Sequence, residues 1–117
     1  YMIIQSLRKY YTFYGDKYQY EFPTGSGKKL NLNEIANALT KRLVKLFEAN
    51  DEGKFQYHAD DPNKMFSKDE HFKNQHLFYE FFDGDNGKGL GASHQTGWTA
   101  LIANLIMEMD AENPKIL

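Results

Sequence analysis

The sequence has no cysteine among its 117 residues, so disulfide frameworks and thiolate metal sites are excluded. It also lacks a basic block, because 14 Lys and Arg residues are interspersed with 16 Asp and Glu residues, and no stretch would follow a phosphate backbone. No apolar run approaches the roughly 20 residues that a helix needs to cross a bilayer. We therefore expect neither nucleic acid nor a membrane as a partner.

Two loops match ligand-binding motifs only in part. Residues 22–29 have Phe22 where a nucleotide-binding loop has its first Gly and Lys29 where it has Ser or Thr. Residues 83–87 carry oxygen ligands at alternate positions, but Gly87 takes the third ligand position of a calcium loop and no Glu follows at the twelfth. The four histidines show no paired spacing on one helix face. No cofactor and no metal ion are expected.

Aromatic residues, by contrast, are abundant. Nine Phe, eight Tyr and one Trp make up 15% of the chain. An aromatic ring can pack against the C–H face of a sugar while a phenol or indole donates a hydrogen bond, but an aromatic-rich core has the same composition. For any single aromatic residue the core interpretation is favoured. With 41% apolar residues, the chain can fill the core of one domain.

Three segments have helical periodicity. Residues 3–14 repeat apolar side chains at helical spacing, and Gly15 follows as a C-terminal stop. Asn31 and Glu34 have the spacing of a reciprocal cap for a helix that continues to about Phe47. The remaining segment, near the end of the chain, gives a third helix.

This third helix is predicted to begin at Thr96, which can cap it, and to end at Asn113-Pro114. Residues 18–22 read as a short extended piece, and residues 50–73 read as a long surface loop with at most a helical turn. Three helices and little regular sheet predict an all-α fold.

One carboxylate, Glu80, lies within the otherwise apolar residues 77–82. Since an ionised carboxyl is costly to remove from water, it is kept in such a run only if it is paired, faces water, or has a use. In an extended segment Phe78, Glu80 and Phe82 share one side, which would set the carboxyl between two rings. The pattern alone favours a solvent-facing or ion-paired structural Glu over a catalytic one.

Residues 78–82, the glycine-rich turn after them, and Thr96-Gly97-Trp98-Thr99 resemble the C-terminal signature of glycoside hydrolase family 63 and its mannosylglycerate hydrolase-like relatives. More loosely, the same segment is similar to trehalases. Residues 7–10, 14–16 and 23–27 also look like a closer branch of that superfamily. The resemblance covers most of the chain and is strongest over residues 78–102.

The resemblance implies a fold, a reaction and a set of residues. The fold would be an (α/α)6 toroid, of which residues 1–117 form the C-terminal portion, with helices joined by long loops and Glu80 on a short extended segment. The reaction would be the inverting hydrolysis of an α-glucoside or α-mannoside, with Glu80 as general base and Trp98 and His94 beside the sugar. The catalytic acid, an Asp from a much earlier helix in the family, matches no residue of this chain.

The expected partners are therefore a carbohydrate substrate and the remainder of the same catalytic domain. The chain starts within a periodic apolar pattern at Tyr1, and we expect it to be a piece of a longer polypeptide, inactive alone. Two alternatives remain open: a catalytically degenerate module of the same fold that binds carbohydrate or proteins, and a free-standing small interaction domain. For Trp98 the core and cleft interpretations are equally favoured, and for His94 a brace of the turn is slightly favoured over a sugar contact.

Overall fold

The computed structural model describes residues 1–58, 61, 65–73 and 75–112. The chain forms two compact units, Tyr1–Leu43 together with the segment that begins at Leu105, and Val44–Asn104. The helices are α1 (Met2–Tyr14), α2 (Leu32–Lys45), α3 (Met65–Lys68) and α4 (Ile102–Glu112). The strands are β1 (Gln19–Glu21), β2 (Lys29–Asn31), β3 (Phe81–Phe82) and β4 (Gly89–Leu90). Single 3₁₀ turns occupy Gly15–Lys17, Gln56–His58 and Thr99–Leu101.

The predicted end of α1 and the predicted start of α2 are confirmed, whereas α2 ends at Lys45 rather than at about Phe47. α1 ends at Tyr14, and Gly15 follows with a φ of 56°, a conformation that glycine adopts without steric cost. At the start of α2 the Asn31 N–H donates to Glu34 Oε2 and the Glu34 N–H donates to Asn31 Oδ1, each at 2.8 Å. This reciprocal cap satisfies two amide groups that the first turn of a helix leaves without partners.

The prediction of an all-α fold, and with it the C-terminal part of an (α/α)6 toroid, is wrong. The chain contains two antiparallel hairpins, β1–β2 and β3–β4. In the first, the extended piece predicted at residues 18–22 finds a partner, because Gln19 lies opposite Asn31 and Glu21 opposite Lys29. The loop between them closes on itself: the Gly27 N–H donates to Glu21 Oε1 at 2.6 Å.

The second hairpin is formed by the turn at residues 83–87, which matches a calcium loop only in part. Asp83 Oδ1 accepts the N–H groups of Asp85, at 2.8 Å, and Asn86, at 3.2 Å, and the Gly87 N–H donates to the Asp83 carbonyl at 2.9 Å. Gly87 has a φ of 75°, which favours glycine. This Asx-type turn reverses the chain and pairs Phe81 with Leu90, so the end of the apolar run, Phe81–Phe82, becomes a strand.

The last helix begins later than predicted. Thr96 does not cap it; the 3₁₀ turn Thr99–Leu101 leads into α4 instead. Asn113-Pro114, predicted as its end, lies outside the described residues. Within the described part of the chain, no helix combines the length and the apolar character that crossing a bilayer requires.

Each unit has its own buried residues. In the first unit, Ile4, Ile35, Ala36 and Leu105 are buried, and the Thr40 hydroxyl is fully buried but donates to the Ala36 carbonyl at 2.9 Å.

In the second unit the rings of Phe47, Phe55, Tyr57, Phe78 and Phe82 form a connected aromatic cluster, with centroid separations of 5.2–5.9 Å between neighbours. Phe55 and Tyr57 in this cluster are buried, whereas Tyr10, Phe13 and Trp98 are among the exposed aromatic residues, so the core interpretation holds for only part of the aromatic content.

Candidate functional site

Glu80 lies on a hairpin that continues beyond the two named strands. The Glu80 N–H donates to the Ala92 carbonyl at 3.0 Å, and the Gln95 N–H donates to the Phe78 carbonyl at 2.6 Å. Backbone pairing thus fixes the chain on both sides of Glu80, which is more than a surface loop could provide. Because the pairing partners come directly after the glycine-rich turn, the turn geometry determines where Glu80 sits.

The carboxylate itself is held at one oxygen and open at the other. Glu80 Oε2 accepts the backbone N–H of Ala92 at 3.2 Å. Within the described residues, Oε1 accepts no hydrogen bond and Glu80 forms no ion pair. The side chain is exposed. One oxygen therefore orients the group, while the other has lone pairs available to solvent or to a ligand.

The structure differs from the predicted burial of this carboxyl between two rings. Phe78 and Phe82 pack on Phe47, with centroid separations of 5.9 Å and 5.7 Å, whereas Glu80 is exposed. The prediction applied strand alternation to residues 78–82, whereas β3 comprises only Phe81–Phe82. The solvent-facing alternative is the one that the structure supports.

A glycine makes the approach of the two hairpin arms possible. Gly91 has a φ of 74°, and a Cβ built on it would lie 2.6 Å from Glu80 Oε2. Real side chains do not occupy such a position without a shift of their neighbours. Gly91 therefore has two reasons to be glycine, and the second reason is the position of the Glu80 carboxylate.

Thr99 supports the same segment from the other side. Its hydroxyl donates to the Tyr79 carbonyl at 2.6 Å, which ties the residue before Glu80 to the 3₁₀ turn that precedes α4. Sequence reasoning missed Ala92, Gly91 and Thr99 as supports of Glu80. The glycine-rich turn was the available signal for a hairpin, but the all-α interpretation gave the two arms no reason to pair.

Trp98 and His94, the predicted sugar contacts, are both surface residues of the second unit. Trp98 is 67% exposed and Phe81 is 53% exposed, so neither ring is part of the core. His94 is also exposed, and its ring lies 5.9 Å from the ring of Phe78. For Trp98 the core half of the prediction is wrong, and the side chain is free to contact a ligand.

Tyr79, the residue before Glu80, and Tyr57 both contact histidines in the second unit. The Tyr79 hydroxyl is 3.4 Å from His58 Nδ1, and the Tyr57 hydroxyl is 3.2 Å from His76 Nδ1. Burial lowers the pKa of His58 and raises the pKa of Tyr57 to about 12. Burial also raises the pKa of Tyr79. His58, Tyr57 and Tyr79 are therefore neutral near pH 7, and the contact between Tyr79 and His58 braces the segment that precedes Glu80.

Metal and phosphate ligands fit the described residues poorly. No group of three or more His, Asp or Glu side chains comes together there in a way that could hold a metal ion. In the loop weighed as a nucleotide site, the Gly27 N–H is bonded to Glu21 Oε1 and the Lys28 N–H to Ser26 Oγ at 3.2 Å. The amides that would cradle a phosphate already have partners.

Comparison with known proteins finds one informative similarity. No family model matches the chain, and no solved structure matches it. Among curated proteins it is similar to the uncharacterized protein YMR196W of Saccharomyces cerevisiae, with 43% identity over 109 residues. The match covers 93% of this chain but 10% of the yeast protein. The chain thus spans about a tenth of that relative's length, and the relative's name assigns no activity.

Proposed function

We propose that this chain supplies the general base, Glu80, of a glycoside hydrolase that cleaves an α-glucosidic or α-mannosidic bond with inversion. Two kinds of support converge on this residue. The residues around Glu80 and Thr96-Gly97-Trp98-Thr99 are similar to those of family 63 glycosidases. The geometry of the carboxylate fits the task independently of any toroid, which the hairpins contradict.

The observation that carries the proposal is the unequal use of the two carboxylate oxygens of Glu80. A general base must be held in place and must keep a lone pair facing the water that it deprotonates. The Ala92 N–H holds Oε2 at 3.2 Å, and Oε1 is open to solvent in the described structure. Glu21 also has one oxygen bonded to a backbone N–H, so this arrangement makes Glu80 suitable for the role, and the resemblance of the residues around Glu80 distinguishes it from Glu21.

In the proposed step, a carboxylic acid protonates the glycosidic oxygen while Glu80 takes a proton from water. The water oxygen bonds to the anomeric carbon on the face opposite the departing alcohol, and the carbon–oxygen bond to that alcohol breaks. The product is a hemiacetal of inverted configuration. The two carboxyl groups of such sites are about 6.5–9.5 Å apart, which leaves room for the water.

The acid in this step is assigned to the polypeptide outside the present sequence. Asp83 is the nearest carboxylate along the chain, but its Oδ1 is used by two turn amides, and neither Asp83 nor Asp85 matches the Asp that the resemblance assigns as the acid. A carboxyl that holds a turn together is poorly suited to carry a proton to a leaving group. The proposal therefore requires a second carboxyl from elsewhere in the longer protein.

Exposed rings supply the sugar-binding surface of the proposed site. Trp98 presents most of its indole to solvent, and such a ring can cover the C–H face of a pyranose while its N–H donates a hydrogen bond. Phe81, next to Glu80, adds a second exposed ring. The exposed imidazole of His94 can donate to a sugar hydroxyl.

A second candidate function is carbohydrate binding without turnover. The exposed rings of Trp98 and Phe81 favour it as strongly as they favour catalysis, because they serve binding in either case. It differs in one respect: the carboxylate of Glu80 would act only as a hydrogen-bond acceptor for the ligand. A degenerate relative of the same kind that binds a protein instead would lack sugar affinity altogether.

The test compares two glutamates of the natural full-length polypeptide on α-glucosides and α-mannosides. Glu80→Gln removes the base and keeps the size of the side chain, and we expect kcat to fall by about 10²–10⁴-fold. Glu21→Gln is the matched control, since Glu21 is also an exposed hairpin glutamate that accepts a backbone N–H. It should hydrolyse at the wild-type rate.

Product analysis by NMR should show the inverted anomer first. Sugar binding without turnover by the unmodified protein would establish the second candidate instead. Equal rates for Glu80→Gln and the wild type would rule out Glu80 as the base.

A further inference from the structure

Helix α1 is apolar on both sides, although one side alone is buried. Ile4 is 3% exposed, as expected for the side that faces the first unit's core. The opposite side is also apolar: Met2 is 64%, Ile3 71% and Phe13 80% exposed. A helix with large apolar side chains on two sides is normally covered on both, because apolar side chains that stay in water forgo the favourable free energy of burial.

The exposed side is a continuous surface rather than scattered residues. The ring centroids of Tyr10 and Tyr14 are 6.3 Å apart, those of Phe13 and Tyr14 are 4.8 Å apart, and those of Tyr14 and Tyr18 are 5.1 Å apart. A groove of about 410 Å³ runs along it. We call this surface, formed by Met2, Ile3, Ser6, Lys9, Tyr10, Phe13 and Tyr14, the outer face of α1.

We infer that the outer face of α1 is covered by another segment of the same, longer polypeptide. The yeast relative shares 43% identity over nearly the whole of this chain, yet the match accounts for 10% of its length. Nine-tenths of that protein is thus available, on one covalent chain, to pack against the equivalent of α1. A tethered segment has an effective concentration in the millimolar range, far above that of a second copy.

The chemistry of the face specifies its occupant. The outer face presents large rings and aliphatic side chains. A covering segment with an apolar stripe at helical spacing fits such a face, because its side-chain ridges can pack into the groove. Lys9 borders the groove and forms no ion pair with the described residues. The covering segment should therefore be amphipathic, with an acidic side chain opposite Lys9. The inference does not rest on the hydrolase proposal, since it concerns packing and not Glu80.

The experiment places a photo-reactive benzoyl-phenylalanine at position 13 of the natural full-length polypeptide. Irradiation should cross-link the benzoyl-phenylalanine at position 13 to a peptide of the same polypeptide that lies beyond the present 117 residues. Because the cross-link is intramolecular, the mass of the protein should not change. Cross-linked peptides identified by mass spectrometry would give the covering segment directly. Attachment to a second copy, to another protein, only within the 117 residues, or to no protein at all would overturn the inference.

A pair of substitutions in the same polypeptide provides an independent measurement. Phe13→Asp puts a charge into the covered face, and we expect it to lower Tm by at least about 2–4 °C. Thr12→Asp is the control, because it puts the same charge at the neighbouring exposed position of the same helix. Equal shifts for the two variants would contradict a covered face. If Phe13→Asp fails to fold, the cross-linking result alone decides.

Discussion

Two glutamates, one in each unit, have opposite surroundings. In the first unit, the Glu108 carboxylate accepts Gln5 Nε2 at both oxygens, at 2.9 Å and 3.0 Å, and pairs with Arg8. In the second unit, Glu80 accepts a single backbone N–H and has no charged partner among the described residues. The first carboxylate is fully used by the fold, and the second is positioned but unused.

The difference separates structural charge from available charge. Arg8 extends the network around Glu108 by donating to Asn37 Oδ1 at 3.1 Å, and its side chain is 14% exposed. Removing either partner would leave a poorly solvated charge. Removing the charge of Glu80 would leave no poorly solvated charge behind, because Glu80 is exposed and has no charged partner among the described residues. Of these two glutamates, Glu80 is therefore the one at which the proposed function predicts a loss of activity without a loss of stability.

After removal of the base itself, the largest effect should come from displacing the Glu80 carboxylate by a substitution at Gly91. Gly91→Ala adds a Cβ where Glu80 Oε2 lies 2.6 Å away, so the carboxylate must move. A misplacement of about 1 Å can cost on the order of 10² in rate, and we expect kcat of the full-length protein to fall by that factor. Steady-state assays on the preferred α-glycoside measure it.

Gly53→Ala is the matched control for this change. Gly53 has nearly the same φ, 75° against 74°, in the same unit, but its Cβ would meet no atom within 4 Å. Both variants incur the backbone strain of a positive φ. Equal kcat values for the two would show that the position of Glu80 is irrelevant to turnover.

Next in size is the effect of breaking the network around Glu108. Glu108→Gln leaves Arg8 without its carboxylate, and we expect the free energy of unfolding to fall by about 1–3 kcal/mol. Urea unfolding of the full-length protein, followed by hydrogen exchange in peptides of residues 1–14, reports the change. A stability equal to that of the wild type would mean that the pair contributes nothing, as many surface ion pairs do.

Trp98→Ala should have a smaller effect, confined to ligand binding. Because the indole is 67% exposed, its loss should leave Tm unchanged. If the ring stacks on the sugar, the dissociation constant should rise by about 5–10-fold, the equivalent of about 1 kcal/mol. Isothermal titration with the substrate or a competitive inhibitor gives the value, and Trp98→Phe should restore most of the affinity. Unchanged affinity in the Ala variant would remove Trp98 from the site.

The smallest effect is a change in pH dependence at His58. Burial lowers the pKa of His58 below its ordinary value of 6.5, more than Asp61 raises it. Below about pH 6.5 the unfolded chain therefore binds more protons than the folded chain, so stability falls as the pH decreases through this window. His58→Gln should reduce the slope of Tm against pH between pH 7 and 5. It removes a group that accounts for less than one proton of the difference in proton binding between the folded and unfolded chain. His71→Gln, at an exposed position, should not; equal slopes in all three proteins would contradict the assignment.

The sequence predicted the helices of this chain better than its strands. Periodicity and the cap formed by Asn31 and Glu34 located α1 and α2, because those signals are local. The hairpins depend on pairing between segments, such as Phe81 with Leu90, and each strand is too short to show alternation. Counting helices without considering that glycine-rich turns pair their flanks led to the incorrect all-α interpretation.

The residues of the candidate site show the same difference between local signals and contacts between segments. Glu80 and Trp98 were identified from a pattern of residues, and that pattern contains no information about partners. Ala92, Gly91 and Thr99 support Glu80 through backbone groups and a close approach, which no local spacing rule reveals. The hydrogen bonds in the structure were needed to show that both carboxylate oxygens of Glu108 have partners, whereas one oxygen of Glu80 has none among the described residues.

The most direct measurement is a crossed comparison of Glu80→Gln and Glu108→Gln in the full-length polypeptide, with kcat and Tm determined on the same preparations. The proposed function predicts that Glu80→Gln loses at least about 10² in kcat and keeps the wild-type Tm, whereas Glu108→Gln lowers Tm and keeps kcat once folded. A Glu80→Gln protein that hydrolyses the α-glycoside at the wild-type rate would contradict the central claim.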